Sequence, residues 1–165
     1  MNSLAIRAIA VLTVSVLLGG CPSSGSAGAA GPSAATPKEV VAAAKATIEQ
    51  WRQAYEIRSV DALSQLYARD LDLVVVQEGT TFLGWSSVEA MLKDRIARTG
   101  AIHIRLKDMQ VITLAPDVAS AFATMTRELT FEATTVTESG TLTLVLRKQG
   151  DRWLITSEHY SYKRP

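Results

Sequence analysis

The hydrophobic pattern of the chain changes period at Gly100. Before it, apolar residues recur at helical spacing, and after it they alternate. Val41, Ala44, Ile48, Trp51 and Tyr55 are spaced 3, 4, 3 and 4 apart, which puts them in one stripe on a helix. Thr36-Pro37 supplies its start, with proline at an early position and Glu39 in the first turn. Ser59 caps a second predicted helix, DALSQLYARD, that buries Leu63, Leu66 and Tyr67. LDLVVVQ reads as a strand and EGTTFLGW as a turn region. Ser86 or Ser87 then caps a third helix through Val88, Met91, Leu92 and Ile96.

Beyond Gly100 the alternation predicts four long strands, AIHIRLKDMQVITL, VASAFATMTRELTF, GTLTLVLRKQ and RWLITSEHYSY. Their breaks are Ala115-Pro116-Asp117, a polar stretch ending at Ser139-Gly140, and Gly150-Asp151. Helices first and an antiparallel meander afterwards make an α+β layout.

The first 36 residues follow neither pattern. Arg7 is followed by an uncharged run from Ala8 to Leu18, the layout of a secretory signal peptide and too short to span a membrane. Its ending, Leu18-Gly19-Gly20-Cys21, resembles a bacterial lipobox. That resemblance implies cleavage of residues 1–20 and a diacylglyceryl group on Cys21, which would anchor the protein to a membrane. It implies a cell-envelope location: the periplasmic side of the inner or outer membrane, or the cell surface. Pro22, rather than an Asp, follows the cysteine and argues by analogy against retention at the inner membrane. Residues 21–36 hold Gly, Ala, Ser, Pro and one Thr besides the cysteine and read as a flexible tether. Residues 37–165 are then a single domain.

Composition narrows the partners. Lys and Arg number 17 against 16 Asp and Glu, and loss of Arg7 with the leader balances them. Without a basic block, nucleic acid is a poor partner. With Cys21 the one cysteine, the domain can form no internal disulfide and depends on its core.

The first helix with Trp51, then SVDALSQLYARDLDLVV, FLGWSSVEAML and QGDRWLITSEHYS, together resemble the nuclear transport factor 2-like superfamily, near its SnoaL-like and ketosteroid-isomerase-like branches. The resemblance covers nearly all of residues 38–165. It implies a cone-shaped, strongly curved antiparallel sheet closed by three N-terminal helices, often dimeric and often holding a cavity. It does not decide function, because isomerases, dehydratases, hydrolases, binding modules and oligomerisation domains share the fold.

Candidate site residues follow from the strand faces. With Gly150-Asp151 as a two-residue turn, Gln149 pairs with Arg152, and His159 opposes Leu142 on the apolar inner face. Glu158 then faces outward with Thr143. His159 is therefore the expected group at the cone mouth, as a proton shuttle or ligand contact, or else as a core histidine satisfied by a carbonyl, Ser157 or water. His103 shares the outer face with Arg105. Arg127 shares a face with Met125 and Leu129. It is either a cavity arginine that could hold a carboxylate or one whose head reaches solvent. Trp51, Tyr55 and Tyr67 line the helical side as cavity wall or plain core, and Trp85 packs between strand and third helix. No second His or Cys joins His159, so a metal is not expected, nor is a cofactor.

Aligned through SVDALSQLYARD, the isomerase tyrosine falls at Trp51 and its aspartate near Val75, so that chemistry is not expected. The sequence favours a lipid-anchored domain that binds a small, mostly apolar molecule or serves as a dimeric interaction module. An enzyme of the SnoaL-like kind, with His159 as general acid or base, is the alternative.

Overall fold

The computed structural model describes residues 34–163. The leader, Cys21 and all but the last three residues of the tether lie outside the described residues.

The first helix, α1, runs Pro37–Glu56 and begins where its cap predicts. The Glu39 amide donates to the Thr36 hydroxyl at 3.3 Å, and the Thr36 amide donates to the Glu39 carboxylate at 2.7 Å. This reciprocal box satisfies two amides that the helix start leaves without partners. The buried stripe is Val40, Ala44, Ile48, Trp51 and Tyr55, so Val40 leads it rather than Val41. Helix α2 is shorter than expected, Val60–Ser64, with the Ser59 hydroxyl accepting from the Ala62 amide at 3.1 Å. It stops because the following backbone joins a strand. The Ile155 amide donates to the Leu66 carbonyl at 2.8 Å, and the Ala68 amide donates to the Ile155 carbonyl at 2.9 Å.

The expected turn region EGTTFLGW is instead the second half of a hairpin. Strands β1, Val74–Gln77, and β2, Thr80–Leu83, pair antiparallel around Glu78-Gly79, both with positive φ as a tight two-residue turn requires. Helix α3, Gly84–Arg98, leaves β2 directly and has no side-chain cap, so neither Ser86 nor Ser87 starts it. Strands β3 (Ala101–Ala115), β4 (Val118–Phe131), β5 (Thr134–Gln149) and β6 (Arg152–Lys163) form the predicted meander. Strand β5 begins earlier than its polar stretch suggested, because the chain turns at Glu132-Ala133 and Phe131 pairs with Thr134.

One curved, unclosed sheet results, in the order β2-β1-β6-β5-β4-β3. All its pairs are antiparallel except β1 with β6. The architecture is α+β, but α3 follows the first hairpin, so the helices do not all precede the sheet. The apolar core lies between helices and sheet: Ile48, Trp51, Leu63, Leu92, Met125, Leu142, Leu144 and Ile155 are among its fully buried members.

The register of the last hairpin decides where the site residues point. Gln149 pairs with Arg152 and Leu146 with Ile155, as the turn predicts. Val145 then pairs with Ser157, so Thr156 is an extra residue, a bulge on β6. Its hydroxyl donates to the Val145 carbonyl at 3.2 Å. One inserted residue reverses every side chain beyond it. Leu142 consequently pairs with Tyr160, Thr143 with His159 and Leu144 with Glu158.

Candidate functional site

The expectation that His159 reaches into the cone and Glu158 looks away is reversed. His159 lies exposed on the outer face, beside Thr143 and Val76. Glu158 is 1% exposed and points between sheet and helices. His103 is exposed, as its alternation predicts.

Around Glu158 the elements bring together a chain of polar groups. From α1, the Trp51 indole N–H donates to the Tyr67 hydroxyl at 2.8 Å. Tyr67, held beside Ile155 by the bridge after α2, donates to Glu158 Oε2. From β1, the Gln77 amide nitrogen donates to Glu158 Oε1 at 2.6 Å. The Gln77 carbonyl oxygen accepts in turn from Arg95 on α3 and, at 3.5 Å, from Arg127 on β4. Two arginines on one side and a carboxylate on the other thus fix which way this amide points.

Arg127 is buried, so its head does not reach solvent. Its partner is not a ligand but Glu138, directly across the ladder on β5, whose Oε2 accepts at 2.6 and 3.0 Å. The guanidinium also lies 5.0 Å from the Tyr160 ring centre and 5.8 Å from that of Tyr162.

Tyr55 is the least firmly held of these groups, its hydroxyl near that of Tyr67 but without a hydrogen bond of good geometry to it. Its ring meets Trp51 edge-on at 4.9 Å, and among the described residues its hydroxyl is the buried side-chain polar atom with no hydrogen bond. A buried hydroxyl left unsatisfied costs about 1–3 kcal/mol. Trp85, near the start of α3, is half-buried, 6.4 Å from Tyr67 and capped by the Arg69 guanidinium at 5.3 Å. It packs against the core cluster.

Burial sets the electrostatics. Desolvation raises the pKa of Glu158, against the opposing pull of the Tyr67 hydrogen bond, Arg95, Gln77 and Arg127. Burial also pushes the Tyr55 hydroxyl up to about 12, with the Glu158 charge adding to the rise. Tyr67 moves the same way for the same two reasons. The Glu158 carboxyl therefore holds its proton more tightly than an exposed one does, with the Tyr67 hydroxyl and the Gln77 amide as its donors. Among the described residues no three His, Cys, Asp or Glu side chains gather to hold a metal ion.

Sequence reasoning missed Gln77, Arg95 and Glu138, and it aimed Glu158 the wrong way. A signal for Glu158 was present. Trp153 and Ile155 fall in one phase of the alternation, whereas Tyr160 and Tyr162 fall in the other, as an inserted residue between them demands. Val75, where the isomerase aspartate was aligned, is buried and is the ladder partner of Glu158.

With fold and site in hand, the comparisons are specific. The chain belongs to the SnoaL-like domain family, whose model matches residues 44–165. Among curated proteins nothing matches. A Streptomyces avermitilis structure, named for a proposed dehydratase of the nuclear transport factor 2-like family, is similar at 21% identity and a TM-score of 0.70, covering 78% of this chain and 99% of its own. A Novosphingobium aromaticivorans structure named for a proposed aromatic ring hydroxylase shares 19% identity at a TM-score of 0.71, covering 79% and 93%. A second structure from that organism, named for a proposed scytalone dehydratase, shares 10% identity at a TM-score of 0.69, covering 75% and 84%. At such identities the likeness is one of fold.

Proposed function

We propose that this protein is a lipid-anchored cell-envelope domain that binds a small molecule in the interior of a cone-shaped fold, with Glu158 and Tyr67 as its recognition pair. The observation that carries this reading is the buried carboxyl of Glu158. A core built for stability alone gains little from a desolvated acid, and here the acid sits among Tyr67, Trp51, Gln77 and the loosely held Tyr55 hydroxyl. A ligand hydroxyl or carbonyl is the natural partner for that last group. Because Tyr55, Tyr67 and Glu158 are each 1% exposed, entry of a ligand requires surrounding side chains to move. The lipobox-like Leu18-Gly19-Gly20-Cys21 supports attachment to the membrane, and the fold family supports a homodimer.

A catalytic version of the same site has one specific observation in its favour. The raised pKa of Glu158 brings its proton nearer to neutral pH, as a general acid or base requires. In that version Glu158, not His159, moves the proton and Tyr67 orients it.

Native mass spectrometry of the full chain, extracted in mild detergent, tests the reading. A small-molecule mass should accompany the wild type and be lost from Glu158→Gln. Bare protein in both, or an adduct equally retained by the variant, would overturn the assignment of the interior. Products formed from the identified molecule by wild type alone would select the catalytic version.

A further inference from the structure

Two clefts at the rim share Arg95. The first, about 170 Å³, is lined by Gln77, Thr80, Phe82, Met91, Asp94 and Arg95, and the second, about 120 Å³, by Thr99, Leu129, Phe131 and Arg95. Glu78 and Arg98 border both. Each cleft therefore offers an apolar wall beside the same guanidinium.

Arg95 is held from two sides by unequal partners. Inward, it donates to the Gln77 carbonyl oxygen, which is part of the buried chain to Glu158. Outward, it faces Glu78 at 3.5 Å, and the Glu78 side chain is 44% exposed at the tip of the β1–β2 turn. The Glu78 contact is long for an ion pair, although the Arg95 side chain is itself only 13% exposed. The outer edge of the guanidinium thus already accommodates a carboxylate, one that stands on an exposed turn. Arg98, paired with Asp94 one helical turn away, keeps a second cation at the rim.

We propose that the rim binds a small monocarboxylic acid with an apolar body. The ligand carboxylate replaces Glu78 on the outer edge of Arg95, and its body lies against Phe82 and Met91 or against Leu129 and Phe131. An Arg fork is suited to a planar carboxylate because two parallel N–H donors meet its two oxygens. The clefts are smaller than the roughly 300–1,000 Å³ that takes a drug-sized molecule, so the acid is a small one. Drawing Arg95 outward loosens its hold on Gln77, which connects this site to the interior. The inference deepens the reading of that interior as a binding site, but it depends on Arg95 and Glu78 rather than on Glu158.

The test is calorimetric titration of the full chain with hexanoate, and with hexanamide as the uncharged control. Hexanoate should bind at least tenfold more tightly than hexanamide. Glu78→Gln, on an exposed turn where folding is not at stake, should tighten hexanoate severalfold by removing the internal competitor. Arg95→Gln should weaken it at least tenfold, with circular dichroism reporting whether the variant is folded. Equal affinity for acid and amide, no binding of either, or indifference to Glu78→Gln would overturn the proposal. Glu158→Gln separates the two readings: hexanoate binding that survives it leaves the rim site standing even if the interior assignment has failed.

Discussion

At Glu158, burial and hydrogen bonding pull in opposite directions, and burial wins. Its pKa is raised in the folded protein, so the native state holds the proton more tightly than the unfolded chain does. The stability contributed in this way is fully present below the unfolded pKa and is lost as pH rises through the folded one. Glu158→Gln keeps the size and the capacity to accept from Gln77 while removing the titration. Melting temperature should therefore fall with rising pH across that window in wild type, and fall less in the variant. His159, one residue further and on the opposite face, provides the contrast. His159→Ala should change unfolding free energy by less than about 0.5 kcal/mol in a urea titration, as exposed positions usually do. It should also leave any bound small molecule in place. A large effect there would contradict the outward register.

At the scale of elements, β5 and β6 are locked together by two features of opposite sense. Thr156 adds a residue to β6, and Gly140 removes a side chain from β5. A Cβ at Gly140 would collide with the Ser161 carbonyl and lie 2.5 Å from the Tyr162 Cα, so the two backbones approach only because the position is glycine. Gly140→Ala should destabilise by about 1–3 kcal/mol, the usual cost of overpacking, measured by the denaturation midpoint. The β4–β5 ladder contains the other constraint, the buried Arg127–Glu138 pair. Arg127→Met leaves Glu138 charged and without its main partner, and should cost about 3–5 kcal/mol. The double variant Arg127→Met/Glu138→Leu should recover much of that loss, because an apolar pair removes both desolvation costs. Failure of the double variant to recover stability would indicate that the stacked Tyr160 and Tyr162 rings need the guanidinium between them and the mouth.

For the whole molecule, the proposal joins a polar interior to a lipid attachment point by a short tether. Cys21→Ser should move the protein from the membrane pellet to the supernatant after fractionation, and should leave the melting temperature of the domain unchanged, since residues 34–163 hold their own core. Continued sedimentation with membranes would argue against Cys21 as the anchor. The division of labour between sequence and structure is visible in particular residues. Periodicity alone placed α1 and the meander, because those features depend on spacing within one segment and on burial of one face. It put Arg127 on the face of Met125 and Leu129 and left open whether its head reached solvent. It also placed Trp51, Tyr55 and Tyr67 in the interior. Local spacing could not aim Glu158, whose direction depends on Thr156 having no counterpart on β5 and on the backbone of residues 66–68 docking against Ile155. Nor could it assemble Gln77, Arg95 and Glu138, which come from three separate elements: Arg95 reaches Gln77 directly, and Glu138 is linked to it through Arg127. What the chain determined by itself was which segments would form helices and strands and that each would bury an apolar face. Which polar groups meet there was settled by tertiary packing, because register and close approach are properties of pairs of strands rather than of any one segment.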